Sequence, residues 1–310
     1  MNNKGYNDYP TYIKSIFSER VQKLSVNAGF TCPNRDGKLG KGGCTFCNNQ
    51  TFNPDYCHTT ESITEQLQKG IDFFSPKYKT QQYLAYFQAY TNTYDGLENL
   101  KAKYEEALAH PKIIGLVVGT RPDCVDDELL SYFKSLQDQG YYVAIEYGVE
   151  STNDDTLKLI NRGHTFATSQ EAIKKTAAYG LPVGAHLILG LPSEDKADIM
   201  AHAAKISELP LTMLKLHQLQ LVKGTLMEEQ YHQHPEWFKL YSADEYIDLI
   251  VDFLEVLNPN IIIERFISQS PKALLTAPIW GLKNFEFVAK VEKRLRQRES
   301  FQGRLYTSSI

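Results

Sequence analysis

Short apolar segments and longer helix-forming segments alternate over most of this chain. Six apolar segments are short enough to be buried strands, at residues 21–26, 83–88, 113–118, 141–146, 182–189 and 213–219. Helical stretches are predicted between them, at about 60–74, 97–109, 125–138, 166–179 and 195–207. Strands separated by helices of this length pair in parallel through right-handed crossovers. The order therefore predicts an α/β fold, a partial (β/α)6 barrel of the TIM type.

The alternation ends near residue 225, so three parts are expected. We predict an N-terminal segment at 1–20, the partial barrel at 21–225 and a C-terminal extension at 226–310. The extension should contain a helix at about 243–257 and a late strand at 261–266. A chain of 310 residues, 42% of them hydrophobic, can bury a core of this size.

The sequence shows neither a secretory start nor an apolar run near the roughly 18 residues that a membrane helix needs. We therefore expect a cytoplasmic protein, without a membrane partner, whose thiols are reduced. The net charge is −4, which provides no global basic field for nucleic acid. Any RNA binding would have to come from a local patch.

Three cysteines follow the first predicted strand: Cys32, Cys44 and Cys47. Three thiolates can hold three corners of a four-iron, four-sulfur cluster, which leaves one iron open to bind and activate another molecule. Four glycines between the first two cysteines let the backbone approach a bulky inorganic core. The segment is therefore predicted to wrap a [4Fe–4S] cluster.

Two other interpretations stay open for these cysteines. Cys57 or His58 could complete a four-ligand zinc site. Cys44 and Cys47 alone have the spacing of a redox CxxC pair. A disulfide framework is not expected, because five cysteines in 310 residues are too few for one.

The cysteine segment, with Phe46 between its last two cysteines, resembles the radical S-adenosylmethionine (SAM) superfamily. Its long first gap is similar to that in the radical SAM domain of the Elongator catalytic subunit. Four later segments resemble landmarks of that domain in the same order, at 119–123, 146–151, 161–165 and 185–192. The resemblance covers about residues 20–225 and extends to a compact bacterial family of radical SAM proteins that lacks the acetyltransferase domain of Elongator.

The resemblance implies two cofactors, a [4Fe–4S] cluster held by the three cysteines and SAM. The residues expected to contact SAM are Phe46, Gln88, Glu150, Arg162 and His186. Glu150 and His186 would lie near the ribose, and Arg162 would engage the SAM carboxylate through its guanidinium fork. Backbone around Gln88 would meet the amino group. An internal salt bridge between Glu150 and Arg162 is the alternative.

Arg121 and Cys124 are candidate catalytic residues, because both follow the third predicted strand at the rim of the barrel. A cation at a strand end can meet an anionic group of a substrate. The alternative for Arg121 is a scaffold ion pair with Asp123 or Asp126. The alternative for Cys124 is a small buried apolar side chain.

By resemblance, the protein is an enzyme that cleaves SAM reductively to a 5′-deoxyadenosyl radical, with electrons from a donor such as flavodoxin or ferredoxin. Elongator-like radical SAM domains act at carbon 5 of wobble uridine, so tRNA is the expected partner and tRNA modification the expected function. Remodelling of a carboxymethylaminomethyl group is one such reaction. A porphyrin or other small-molecule substrate stays open, as does a non-catalytic iron–sulfur or haem-trafficking role.

The end of the chain carries a basic tail with six cations in fifteen residues: Lys290, Lys293, Arg294, Arg296, Arg298 and Arg304. Helical spacing would align several of them for contact with RNA phosphates. A solvated terminal helix is the alternative.

Overall fold

A computed structural model describes residues 4–51, 53–54, 56–78 and 81–307. The strands assigned in those ranges are β1 (Val21–Val26), β2 (Gln82–Phe87), β3 (Ile113–Thr120), β4 (Tyr142–Glu150), β5 (Val183–Leu189), β6 (Met213–Gln218), β7 (Leu221–Val222), β8 (Ile262–Arg265) and β9 (Leu275–Ala277). The α-helices are α1 (Tyr9–Ile16), α2 (Ile63–Phe74), α3 (Leu97–Leu108), α4 (Asp127–Asp138), α5 (Asp154–Leu159), α6 (Phe166–Ala178), α7 (Lys196–Ser207), α8 (Leu226–Gln233), α9 (Ala243–Val256) and α10 (Asn284–Gln297).

The main sheet consists of parallel strands in the order β1-β2-β3-β4-β5-β6-β8 and curls into a half-barrel. Helices connect its successive strands, as expected for parallel pairing. The predicted α/β fold with a partial barrel is therefore confirmed. The late strand expected in the extension is β8, and it pairs with β6 as the last strand of this sheet. Strands β7 and β9 pair separately and antiparallel.

The two faces of the sheet have different surroundings because side chains alternate along a strand. On β2, Tyr83, Ala85 and Phe87 belong to the large core under the helices. Leu84 and Tyr86 point the other way, into the half-barrel. The outer face thus supplies most of the apolar burial, and the inner face is left for a cavity.

Helix α1 closes the half-barrel at the end where the strands begin. Asp8 caps the helix by accepting a hydrogen bond from the Thr11 amide at 3.3 Å. Tyr9 and Tyr12 pack against the small inner cluster of apolar residues. The opening at the carboxyl ends of the strands is the one that can admit ligands.

Helix α9 packs between α7 and α10 and joins the last third of the chain to the barrel. Ser242 and Glu245 form a capping box at its start. Gln302 accepts a hydrogen bond from the Asn7 amide at 3.0 Å, so the two ends of the described chain meet beside β8. Among the described residues, we find no helix with the length and apolar character that crossing a bilayer requires.

Candidate functional site

Loops at the carboxyl ends of the strands enclose a cavity of about 140 Å³. It is lined by nine of the residues that the sequence singled out: Cys32, Cys44, Phe46, Cys47, Gln88, Arg121, Glu150, Arg162 and His186. A second cavity of about 260 Å³ adjoins it and shares four of these, Phe46, Gln88, Glu150 and His186. The structure therefore brings the predicted cluster and SAM residues to one place.

The cysteine segment is a tight loop fixed by its own backbone. The Cys32 carbonyl accepts hydrogen bonds from the amides of Arg35 at 2.8 Å and Asp36 at 3.2 Å. Gly43 has a φ of +86°, and an added Cβ there would lie 2.8 Å from the Arg35 Nε. Glycine is therefore required at this turn beside Cys44.

Two side chains place N–H groups next to the Cys44 sulfur. The Arg162 Nη1 lies 3.5 Å from this Sγ, and the Asn34 Nδ2 lies 3.6 Å from it. Hydrogen bonds to sulfur stabilise a thiolate ligand and tune the potential of an iron–sulfur cluster. The free thiols, the bare glycine backbone and these donors fit a [4Fe–4S] cluster.

Glu150 reaches the cavity through a local distortion at the end of β4. The register with β5 shifts between Gly148 and Glu150, and Glu150 has a φ of +68°. A Cβ on Gly148 would lie 2.5 Å from the Glu150 Oε1 and 2.7 Å from the Arg162 Nη2. Such strain in a non-glycine residue is typical of functional sites, where surrounding contacts hold it in place.

Arg162 contacts Glu150, the one protein partner that the sequence analysis considered for it, and also a backbone carbonyl. Its Nη2 donates to the Gly148 carbonyl at 2.6 Å and lies 3.6 Å from the Glu150 Oε1. The buried Nε forms no hydrogen bond among the described residues. The ion pair is thus long, and one donor of the fork remains available at the cavity.

The loop after β2 also turns sharply at the cavity. Tyr90 has a φ of +65°, and the Thr91 amide donates to the Thr31 carbonyl at 3.2 Å. The Gln88 Nε2 donates to the Ser25 Oγ at 2.7 Å. These bonds tie the segment after β2 to β1 and to the loop that follows β1.

Arg121 is engaged by the protein itself. Its Nε and Nη2 donate to the two carboxylate oxygens of Asp123 at 2.9 and 2.8 Å. Its Nη1 donates to the Arg162 carbonyl at 2.9 Å. Burial raises the pKa of Asp123, but the Arg121 guanidinium outweighs it and holds the pKa below its ordinary value. We infer that Arg121 positions the loop that carries Arg162.

Cys124 borders neither of these two cavities. It borders a separate surface depression together with Pro33, Lys38 and Tyr94. Burial raises the pKa of its thiol to about 12, with a further contribution from Asp123. This position separates Cys124 from the cysteine loop's cavity and leaves it in the protonated form at neutral pH.

A network of buried charges under the cavity was missed at the sequence level. Glu146 accepts from Lys215 at 2.6 Å, from Lys23 at 2.8 Å and from His186 at 3.0 Å. Burial opposes ionisation of Glu146, but the two ammonium groups outweigh it, so its pKa lies well below 4.5. The sequence does contain a signal for it: on β6, the polar residues Lys215 and His217 alternate with apolar ones, which indicates that they share one face of the sheet.

The six cations of the basic tail divide into two groups. Three form ion pairs with acidic residues of α9: Arg294 with Asp248, Arg298 with Asp252, and Arg304 with Glu255. The other three, Lys290, Lys293 and Arg296, are exposed and form no ion pair in the described part of the chain. The structure thus uses half of the predicted patch to attach the tail to α9.

Comparison with known proteins agrees with the geometry. The sequence model of the Radical SAM superfamily matches residues 29–206, which is more than half of the chain. The chain belongs to the radical SAM superfamily. A model of the radical SAM C-terminal domain matches residues 211–297. Proteins of this superfamily use a [4Fe–4S] cluster and SAM, so the two predicted cofactors are confirmed.

Several relatives support the predicted likeness to Elongator. The uncharacterized protein YtqA of Bacillus subtilis (strain 168) is 34% identical over 303 residues, which cover 98% of this chain and 93% of YtqA. The tRNA uridine(34) acetyltransferase of Dehalococcoides mccartyi is 30% identical over 201 residues, or 62% of this chain and 42% of that protein. The structure of the archaeal Methanocaldococcus infernus Elp3 shares the fold, with a TM-score of 0.67 at 17% identity over 92% of this chain and 64% of that one. The predicted resemblance is confirmed.

Replacing Cys44 with alanine should remove the cluster. Loss of an outer partner of a metal ligand already weakens metal binding by about 10–100-fold, and loss of a ligand should cost at least as much. Iron and sulfide content after anaerobic reconstitution, together with the visible absorption, measures the effect. Cys57 is the matched control, because its thiol is buried and donates to the Ser25 carbonyl at 2.9 Å. Full iron content in C44A, or its loss in C57A, would contradict the assignment.

Replacing Glu146 with glutamine should destabilise the fold by about 3–5 kcal/mol, because two buried ammonium groups lose one of the two carboxylates that they share. Because the pKa of Glu146 is lowered on folding, its stabilisation is present above about pH 4.5 and is lost as the pH falls through the lowered value. E146Q should therefore also lose stability less steeply on acidification.

Urea unfolding of E146Q and of the control E98Q at several pH values measures both effects. Glu98 is 86% exposed and pairs with Lys101 at 2.9 Å. Its loss should cost less than about 1 kcal/mol. Equal unfolding free energies for the two variants would show that the interior network contributes nothing specific.

Proposed function

We propose that this radical SAM enzyme modifies the C5 side chain of a wobble uridine in tRNA, for example by remodelling a carboxymethylaminomethyl group. The observation that carries the proposal is the second cavity, which adjoins the cysteine wall and has polar residues from β5, β6 and the segment after β8 around it. The likeness to a tRNA uridine(34) acetyltransferase supports the substrate class.

Cys32, Cys44 and Cys47 would hold the cluster at one wall of the first cavity. The backbone at Gly43 and an N–H group of Arg162 would lie beside the Cys44 ligand. When bound, the cluster and SAM supply one-electron cleavage of a carbon–sulfur bond and removal of a substrate hydrogen.

The protein's own part in this chemistry is to orient SAM and keep water away. The free Nε of Arg162 is suited to one oxygen of a carboxylate. Glu150, held at the cavity by the distortion of β4, can accept hydrogen bonds from two ribose hydroxyls. Phe46 lies between the two cavities and presents an apolar surface there.

The second cavity would receive a nucleoside side chain or an extruded base. Enzymes that act on a base bring it out of the stack into a pocket with polar groups at its edge. Gln218, Gln220 and Gln269 line this cavity. Their amides already bond to the chain after β8, and each retains further hydrogen-bonding capacity, because a primary amide has two N–H groups and two lone pairs. This lining is more suitable for a polar nucleoside than for a large apolar ring.

Contact with the rest of the tRNA would use the exposed half of the basic tail. Lys290, Lys293 and Arg296 have no acidic partner in the described residues, so their charges are available for phosphates. A flavodoxin or ferredoxin would supply electrons. The cytoplasmic location expected from the sequence remains a prediction.

Deletion of the gene should change the wobble uridine. Mass spectrometry of tRNA nucleosides should show a C5-modified uridine accumulating in the deletion strain and another one disappearing. Plasmids that encode wild type or C57A should restore the pattern, and C44A should not. An unchanged nucleoside profile would overturn the tRNA proposal and favour a small-molecule substrate.

The triple variant K290Q/K293Q/R296Q should bind tRNA more weakly, and the salt dependence of binding should decrease. Each phosphate that the variant no longer neutralises lowers the slope of log K against log salt by about 0.7–0.9. Binding at several salt concentrations measures the slope. The control K174Q/K175Q removes two charges from α6, one of them from Lys175, which pairs with Asp127 at 2.9 Å. An unchanged slope in the triple variant would show that the tail does not contact RNA.

A further inference from the structure

Arg265 is the last residue of β8, and its side chain borders both cavities. It is exposed, and in the part of the chain that the structure describes it forms no hydrogen bond or ion pair. Its guanidinium therefore has all five N–H donors available at the wall of a ligand cavity.

The charges around Arg265 already neutralise one another. Lys23 pairs with Glu146 at 2.8 Å and with Glu264 at 2.6 Å. Lys215 pairs with the same two carboxylates at 2.6 and 3.1 Å. Two positive charges thus meet two negative ones. Arg265 adds a positive charge beside this balanced group, although the whole chain has a net charge of −4.

The direction of Arg265 results from an irregularity in β8. Lys215 is paired with Arg265, whereas Leu214 is paired with Ile263, so Glu264 is the extra residue. Regular alternation would send Glu264 and Arg265 to opposite faces of the sheet. Instead Glu264 bonds to the interior lysines and Arg265 borders the cavities. Such irregularities re-aim side chains next to active sites.

His217 offers a second donor in the same cavities. Its Nδ1 bonds to the Ser268 hydroxyl, and its buried Nε2 has no partner among the described residues. Burial, with a further contribution from the charge of Arg265, keeps the pKa of His217 well below 6.5, so the ring is neutral at pH 7. If Nδ1 accepts the Ser268 proton, Nε2 carries the ring hydrogen and donates it.

We propose that Arg265 and the Nε2–H group of His217 bind a carboxylate of the substrate in the second cavity. The inference rests on the proposed function, in which the carboxylate is that of the carboxymethylaminomethyl group. The planar guanidinium fork matches a carboxylate with two parallel hydrogen bonds. Because both residues also border the cavity of the three cysteines, the anchored side chain lies next to the site of hydrogen removal.

The test measures RNA binding to the anaerobically reconstituted protein, without turnover. Two anticodon stem-loops differ only at the wobble base: one carries 5-carboxymethylaminomethyluridine, and the other 5-aminomethyluridine, which has no carboxylate. The variants are R265Q, R265K and the control R20Q. Arg20 is an exposed arginine just before β1, at the opposite end of the sheet. Iron content and circular dichroism confirm that each variant is folded and loaded.

We expect wild type and R20Q to prefer the carboxylate stem-loop. R265Q should lose about 10–100-fold in affinity for it, the range for a hydrogen-bonded charged pair, and bind the other stem-loop as wild type does. R265K, which keeps the charge but not the fork, should fall between them. Equal weakening for both stem-loops would identify a contact with backbone phosphate and overturn the inference. If R265Q still prefers the carboxylate stem-loop, the inference is also overturned, whereas the proposed tRNA function is unaffected. If wild type binds neither RNA, the proposed function fails together with the inference.

Discussion

The site depends on a network of ion pairs inside the half-barrel. Lys23, Glu146, Lys215 and Glu264 come from β1, β4, β6 and β8, so their ion pairs join strands across the whole width of the sheet. A buried charge without a partner is strongly destabilising. Strand movements that would break these ion pairs are therefore unfavourable, and the network fixes the strands relative to one another. The network thereby forms a fixed floor beneath the two cavities. His186 connects the floor to the cavity wall through its bond to Glu146 at 3.0 Å.

Above that floor, the backbone departs from regular geometry where functional side chains are required. β4 shifts its register at Gly148, and β8 does so before Arg265. Glu150 and Asn161 have positive φ values of 68° and 52°. Such conformations persist only where neighbouring contacts hold them. Arg121 provides one of these contacts by binding the Arg162 carbonyl. The strained backbone around the proposed SAM contacts is therefore held in place by neighbouring hydrogen bonds.

Local patterns in the sequence predicted most of the barrel but not its long-range pairing. The strand expected at 21–26 is β1 without change, and the helix expected at 243–257 is α9 within one residue. These elements follow from short-range apolar patterns. The pairing of the basic tail with Asp248 could not be seen, because the acidic partner of Arg294 lies 46 residues away. Likewise, the position of Arg265 depends on a register shift that no local pattern specifies.

With only three cysteine ligands, the cluster would have one iron open for SAM. The most direct measurement is anaerobic incubation of the reconstituted, reduced protein with SAM, followed by chromatography for 5′-deoxyadenosine and by electron paramagnetic resonance before and after SAM addition. SAM should shift the spectrum of the reduced cluster, and 5′-deoxyadenosine should accumulate. If the protein has its full iron content but SAM leaves the spectrum unchanged and no 5′-deoxyadenosine forms, the cluster has no iron open to SAM.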